Sequence, residues 1–172
     1  MDFKDKELDS KTFEKIDFTD CNFSNSTFSD CVFKSCNLSN VVLNNSKFRN
    51  AIFRDCKLLG LNFTKANAFL ISFKFENCLI SSSIFSDLKI GGTNFISCKV
   101  LDCDFENTIL TKSSFEFSDL KGSLFQGANL ISASFKNAKN YFIDPNQNQI
   151  KGAMFSFPEA LSLLDVFKIK ID

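Results

Sequence analysis

The sequence predicts an all-β solenoid, on three observations. A large apolar residue recurs every fifth position over most of the chain. A small residue, often Cys, Ser, Thr or Ala, stands two places before it. The position two places after it is usually Asn, Asp, Ser, Gly or Lys. Period five suits no helix, because residues five apart drift around a helix by roughly 140° per step and no face stays apolar. A flat strand fails as well, since both flanking even positions would share the apolar face. The chain must turn a corner within each quintet. Short sides with two residues facing inward then wind about an axis, stacking Phe and Leu inside.

The beat is clearest in CNFSNSTFSDCVF, residues 21–33. The inward centres run from Phe13 through Phe23, Phe33, Phe53 and Leu58 to Phe63. They resume two residues out of phase at Leu70 and continue through Phe75, Phe85, Phe105 and Phe125 to Phe135. Such a run is an internal repeat.

One domain spans 1–172. Residues 1–12 are charged and form an N-terminal edge or cap, since an open solenoid end must be covered. The repeat occupies 13–140, with the two-residue slip within 64–69. That slip is either a bulge that the coil absorbs or an irregular recognition site. Phe73, oversized for a small inward place, should distort packing nearby. Residues 141–155 are a loop rich in turn formers and a last repeat, Ala153-Met154-Phe155. Residues 156–172 change pattern. Pro158 suits a first helical position and Glu159 a first turn, giving a short amphipathic α-helix to about Phe167 with Ala160, Leu161, Leu163, Leu164 and Phe167 on one broad face. KIKID alternates, as a short strand would.

Charge and composition remove several classes. Twenty basic and twenty acidic residues leave no polybasic surface for nucleic acid. The N-terminus has no signal-peptide pattern and no stretch reaches a transmembrane length, so the expectation is a cytoplasmic protein. The seven cysteines all fall at the small inward position. Cys36, Cys56, Cys78 and Cys98 fold onto one side as a ladder. Their parallel side chains point the wrong way for disulfides. With no His and no CxxC pair, metal binding is not expected either. The reading is a structural core of Phe23, Phe53, Phe105 and Phe125 with this thiol ladder. No nucleophile–base pair or phosphate loop is present, so neither an enzyme nor a cofactor is expected.

The motifs CNF, CNL, LNF, TNF, CDF, SDL and ANL, at residues 21–23, 36–38, 61–63, 93–95, 103–105, 118–120 and 128–130, resemble the bacterial pentapeptide-repeat family. The resemblance implies a right-handed quadrilateral β-helix with four quintets per coil. It also implies a protein-interaction module, with DNA gyrase or topoisomerase IV as partner and quinolone-protection-like activity. In similar members the C-terminal helix joins two rods, so Phe157, Leu161, Leu164 and Phe167 are either a homodimer interface or an end cap. Folding the quintets onto four sides puts Asp87, Asp104 and Glu106 on one face, the candidate partner surface, with Lys65. Another face carries Lys47, Arg49, Lys89 and Lys112 against Asp30 and is basic. A neutral exterior, a basic side and the lack of long inserted loops depart from the quinolone-resistance pattern, which keeps a scaffold with an unrelated partner as the alternative. Outward apolar residues form two sets: Val42, Ile84 and Leu124, and Phe69, Ile71, Ile109 and Ile131.

Overall fold

The computed structural model describes residues 3–170, the side chain of Leu70 excepted. The chain winds into a four-sided β-helix of about seven coils with one short helix at its C-terminal end. All pairing is parallel. On the first side β1 (Glu7–Asp9), β3 (Thr27–Ser29) and the start of β5 (Lys47–Arg54) stack in register. The second side stacks β2 (Thr12–Glu14), β4 (Val32–Lys34), the end of β5, β7 (Ile71–Glu76) and β9 (Asn94–Ile96). The third stacks β6 (Lys57–Leu59), β8 (Leu79–Ser81) and β10 (Lys99–Leu101). The fourth is made of single bridges such as Asn22↔Val42, Asn62↔Ile84, Ile84↔Asp104 and Asp104↔Leu124. Near the C-terminal end β11 (Ser134–Phe135) pairs with β12 (Met154–Phe155).

The corners explain the polar fifth of the pattern. Every residue two places after an inward centre has a left-handed φ, from Asp5 to Gly60 and again from Asn77 to Asn137. Asn, Asp and Gly reach that region at least cost, so the corner selects them for backbone shape as much as for exposure. At Gly122 (φ +75°) a Cβ would also lie 2.0 Å from an Asp102 carboxylate oxygen.

Inside, the centres are sealed from water: Phe23, Phe53, Phe105 and Phe125 are all buried. The small inward residues do more than leave room. Ser118 donates to the Phe95 carbonyl (2.6 Å) and Thr108 to that of Phe85 (2.9 Å). The cysteines make the same bond with sulfur: Cys36 to Phe13 (3.4 Å), Cys56 to Phe33 (3.3 Å) and Cys78 to Phe53 (3.4 Å). Cys98 donates to Ile96 in the preceding quintet (3.3 Å). All seven thiols are free and buried. Cys, Ser and Thr alternate at these positions because each supplies a compact donor to a buried carbonyl.

At the phase slip two 3-10 turns, Phe63–Lys65 and Ala68–Leu70, replace the regular corner. Asn62 and Asn67 cap them by accepting from the Thr64 and Phe69 amides. Strand pairing shifts between Phe48 and Ala51. Phe73 lies opposite Ala51 and is buried, its ring 5.1 Å from Phe63 and 5.5 Å from Phe48. The oversized side chain therefore occupies the space that the small Ala51 leaves one coil earlier.

The C-terminal segment differs from expectation in its winding. Glu159–Phe167 is a 3-10 helix rather than an α-helix, and Ile169 and Lys170 join no strand; Ile171 and Asp172 lie outside the described residues. Three residues per turn aligns positions three apart. Ala160, Leu163 and Val166 are half-buried, and Leu163 packs on the core. Leu161, Leu164 and Phe167 form a second stripe, which is exposed. The single broad face read from the sequence is thus divided into a packed stripe and an open one.

Candidate functional site: the fourth side of the rod

Asp87, Asp104 and Glu106 all belong to the fourth side, where the bridge ladder sets Asp104 between Ile84 and Leu124. The outward position before each centre alternates along the axis: Asn22, Val42, Asn62, Ile84, Asp104, Leu124. An exposed apolar side chain therefore appears at every second coil. Val42, Ile84 and Leu124 are 40%, 37% and 54% exposed.

The loop after the last regular coil completes this side. Gly127 donates its amide to the Gln147 carbonyl (3.2 Å), and Ala128 to the Asn148 side chain (2.9 Å). Asp144 holds the turn by accepting from the Asn146 amide (2.8 Å), while the Asn148 amide donates to its carbonyl (2.9 Å). The folded-back loop sets Phe142, 62% exposed, and Asp144 against the coil. Between them and Glu106, Leu124 and Gln126 lies a cleft of about 240 Å³. Its lining combines Leu124, Phe125 and Phe142 with two carboxylates and three amides. Sequence reading treated Phe142 and Asp144 only as loop; the signal was an aromatic between two inward apolar residues, Tyr141 and Ile143.

The acids here differ from those elsewhere. Glu14, Glu76 and Asp119 pair with Lys34 (2.9 Å), Arg54 (2.6 Å) and Lys139 (3.8 Å) on other sides of the rod. Among the described residues no ion pair reaches Asp87, Asp104, Glu106 or Asp144. Asp104 accepts the Glu106 backbone amide (2.8 Å). The lining holds two carboxylates, Glu106 and Asp144, and no Ser, Cys, Lys or His.

The remaining candidates lie apart from this side. Lys47 and Arg49 line a shallow groove on the first side with Glu7, Asp9, Thr27 and Ser29. Asp30, on the same side, accepts from the Asn50 amide (2.7 Å). Phe157, Leu161, Leu164 and Phe167 are exposed at the C-terminal end, Phe157 at 80%. Phe69 stands out from the slip at 95% exposure.

A family model described as pentapeptide repeat region matches residues 6–80. A second, described as pentapeptide repeats (8 copies), matches residues 89–127 and 115–139. The chain belongs to the pentapeptide-repeat family. Among solved structures, a trypsin-treated form of QnrB1, a plasmid-mediated fluoroquinolone resistance protein, aligns with a TM-score of 0.55 at 21% identity, over 99% of this chain and 93% of that one. A second trypsin-treated form gives 0.51 at 21%, over 99% and 92%. At this identity the likeness shows the shared pentapeptide-repeat fold. No curated protein matches the chain. No helix among the described residues is long and apolar enough to cross a membrane.

Proposed function

We propose that this pentapeptide-repeat protein is a non-enzymatic protein-interaction module of the cytoplasm. It takes its partner along the fourth side and pairs with a second copy through its C-terminal helix. The observation that carries the reading is the coincidence, on one side of a stiff rod, of exposed Val42, Ile84, Leu124 and Phe142 with four acids that no ion pair reaches among the described residues, against Lys65 on the same side. Apolar surface repeated along an axis and edged by unpaired charge suits a protein contact. The fold shared with QnrB1 supports a type II topoisomerase, DNA gyrase or topoisomerase IV, as the partner, with quinolone-protection-like activity.

A second reading has its own support. Zero net charge and the Lys47–Arg49 groove on the first side fit duplex mimicry poorly, and favour a scaffold for an unrelated partner. A gyrase supercoiling assay with and without ciprofloxacin separates the two. Inhibition or protection that is lost in the Asp87→Asn/Asp104→Asn variant supports the first. No effect at micromolar protein removes it, and a pull-down with the same variant then tests the second. For self-association, Leu161→Glu/Leu164→Glu should halve the mass seen by light scattering, and an unchanged mass rejects that interface.

A further inference from the structure

The cleft at the end of the fourth side points to a narrower partner chemistry. We infer that it receives an arginine side chain from an extended, polyproline-II segment of a partner protein, whose apolar residues lie on Ile84 and Val42. The inference rests on the fourth side being the partner face.

Volume comes first. About 240 Å³ is less than the roughly 300 Å³ at which small-molecule sites begin. One long side chain fits; a folded domain or a cofactor does not. The walls select which side chain. Leu124 and Phe142 give apolar surface for an aliphatic stem, and Glu106 and Asp144 leave negative charge at the rim. A lysine would satisfy the charge alone. A guanidinium also stacks flat on an exposed ring such as Phe142 and has five N–H donors to place. The carboxylates and the amide oxygens of Gln126 and Gln147 supply acceptors for them.

Spacing selects the backbone. Val42, Ile84 and Leu124 recur every second coil, which at about 4.8 Å per parallel step is about 9.6 Å. A β-strand repeats a face every two residues, about 6.7 Å. An α-helix repeats every turn, about 5.4 Å. A polyproline-II helix repeats every three residues, about 9.3 Å, and keeps the match across all three sites. Such a segment also enters a complex already extended, so it gives up little conformational freedom.

The test uses two synthetic peptides that differ in direction, acetyl-Ile-Pro-Pro-Leu-Pro-Pro-Arg-amide and acetyl-Arg-Pro-Pro-Leu-Pro-Pro-Ile-amide, titrated into the full chain and followed by amide NMR. One of them should bind with a Kd of roughly 0.1–1 mM. The shifts should be confined to Glu106, Gln126, residues 142–148 and the surroundings of Ile84 and Val42. Citrulline in place of Arg, which keeps shape and removes charge, should weaken binding about tenfold or more. Moving Leu by one position should weaken it comparably. Glu106→Gln and Phe142→Ala, both at surface sites, should do the same with an otherwise unchanged spectrum. Ile84→Asn should also weaken it and still fold, because Asn62 holds the equivalent place one coil away. Absence of saturation by about 10 mM, equal binding of the citrulline peptide, or shifts centred on another side would each overturn the inference. Partner capture that depends on Asp87 and Ile84 but ignores Glu106 and Phe142 would keep the face and reject this occupant. Capture indifferent to all four would reject the face itself.

Discussion

From Phe13 to Phe33 five successive quintets send a phenylalanine inward, whereas from Phe85 to Leu130 phenylalanine alternates with Ile, Val or Leu. The rings respond differently. In the second stretch Phe85, Phe105 and Phe125 stack at 4.8 and 5.1 Å, within 5° of parallel. Phe95 and Phe115 do the same across the axis at 4.8 Å and 1°, and the two stacks meet edge to face at 88–89°. In the first stretch Phe18 and Phe23 are edge to face at 82°, while Phe23 and Phe28 tilt at 38° and Phe28 and Phe33 at 57°. One coil has room for two crossed ring planes. A third and fourth ring must lean, so aromatic content and regular packing are separate quantities in this interior.

The largest expected effect separates the two stretches. Phe105→Ala removes a ring from the middle of a parallel stack and should cost about 3–5 kcal/mol, read as a lower urea midpoint. Phe28→Leu, in the crowded stretch, should cost less than about 1.5 kcal/mol, because Leu8 already fills the paired place one coil before it. Equal costs would show that the tilted and stacked rings pack alike. At the junction of the stretches, Phe73→Ala should lose about 3 kcal/mol by emptying the space facing Ala51. Phe69→Ala, four residues away and exposed, should change stability by no more than about 0.5 kcal/mol.

A smaller and pH-dependent difference lies in the inward donors. Burial pushes the Cys103 thiol up from 9.0 to about 12. Below pH 9 it is protonated folded or unfolded and the pH has no effect. Between 9 and about 12 the unfolded chain releases its proton first, so stability falls as pH rises. The urea midpoint should therefore decline above pH 9. It should decline less in Cys103→Ser, which ought to fold because Ser83 and Ser123 stand at the same place in the neighbouring coils. Identical pH profiles would mean that this thiol ionises alike in both states.

Much of this was legible in the residues. Period five excluded helices, and the polar corner position marked the bend, since left-handed backbone and small polar side chains select each other. The loop was not legible, because turn formers such as Asp144-Pro145-Asn146 say that the chain bends but not which side of the rod it returns to. Nor was the 3-10 winding of the last helix. Leu161, Leu164 and Phe167 sit three apart and Ala160, Leu163 and Val166 do so beside them, a spacing that an α-helix merges into one face and a 3-10 helix keeps as two.

The smallest expected effect concerns a corner that departs from the rest. Phe117 takes the left-handed place, with φ 60°, where neighbouring coils have Ser97 and Asn137, and its side chain is 60% exposed. A bulky L-residue pays roughly 1–2 kcal/mol for that conformation, and an exposed ring recovers little of it by burial. Phe117→Asn should therefore raise stability by about 1 kcal/mol, an uncommon sign for removing an aromatic from a repeat whose interior is built of them. A loss of stability would mean that the ring covers apolar surface worth more than the backbone strain. A gain would mark Phe117 as a residue kept at the expense of the fold. It would then join Phe157, on the same side two coils further along, as an aromatic available to a second chain.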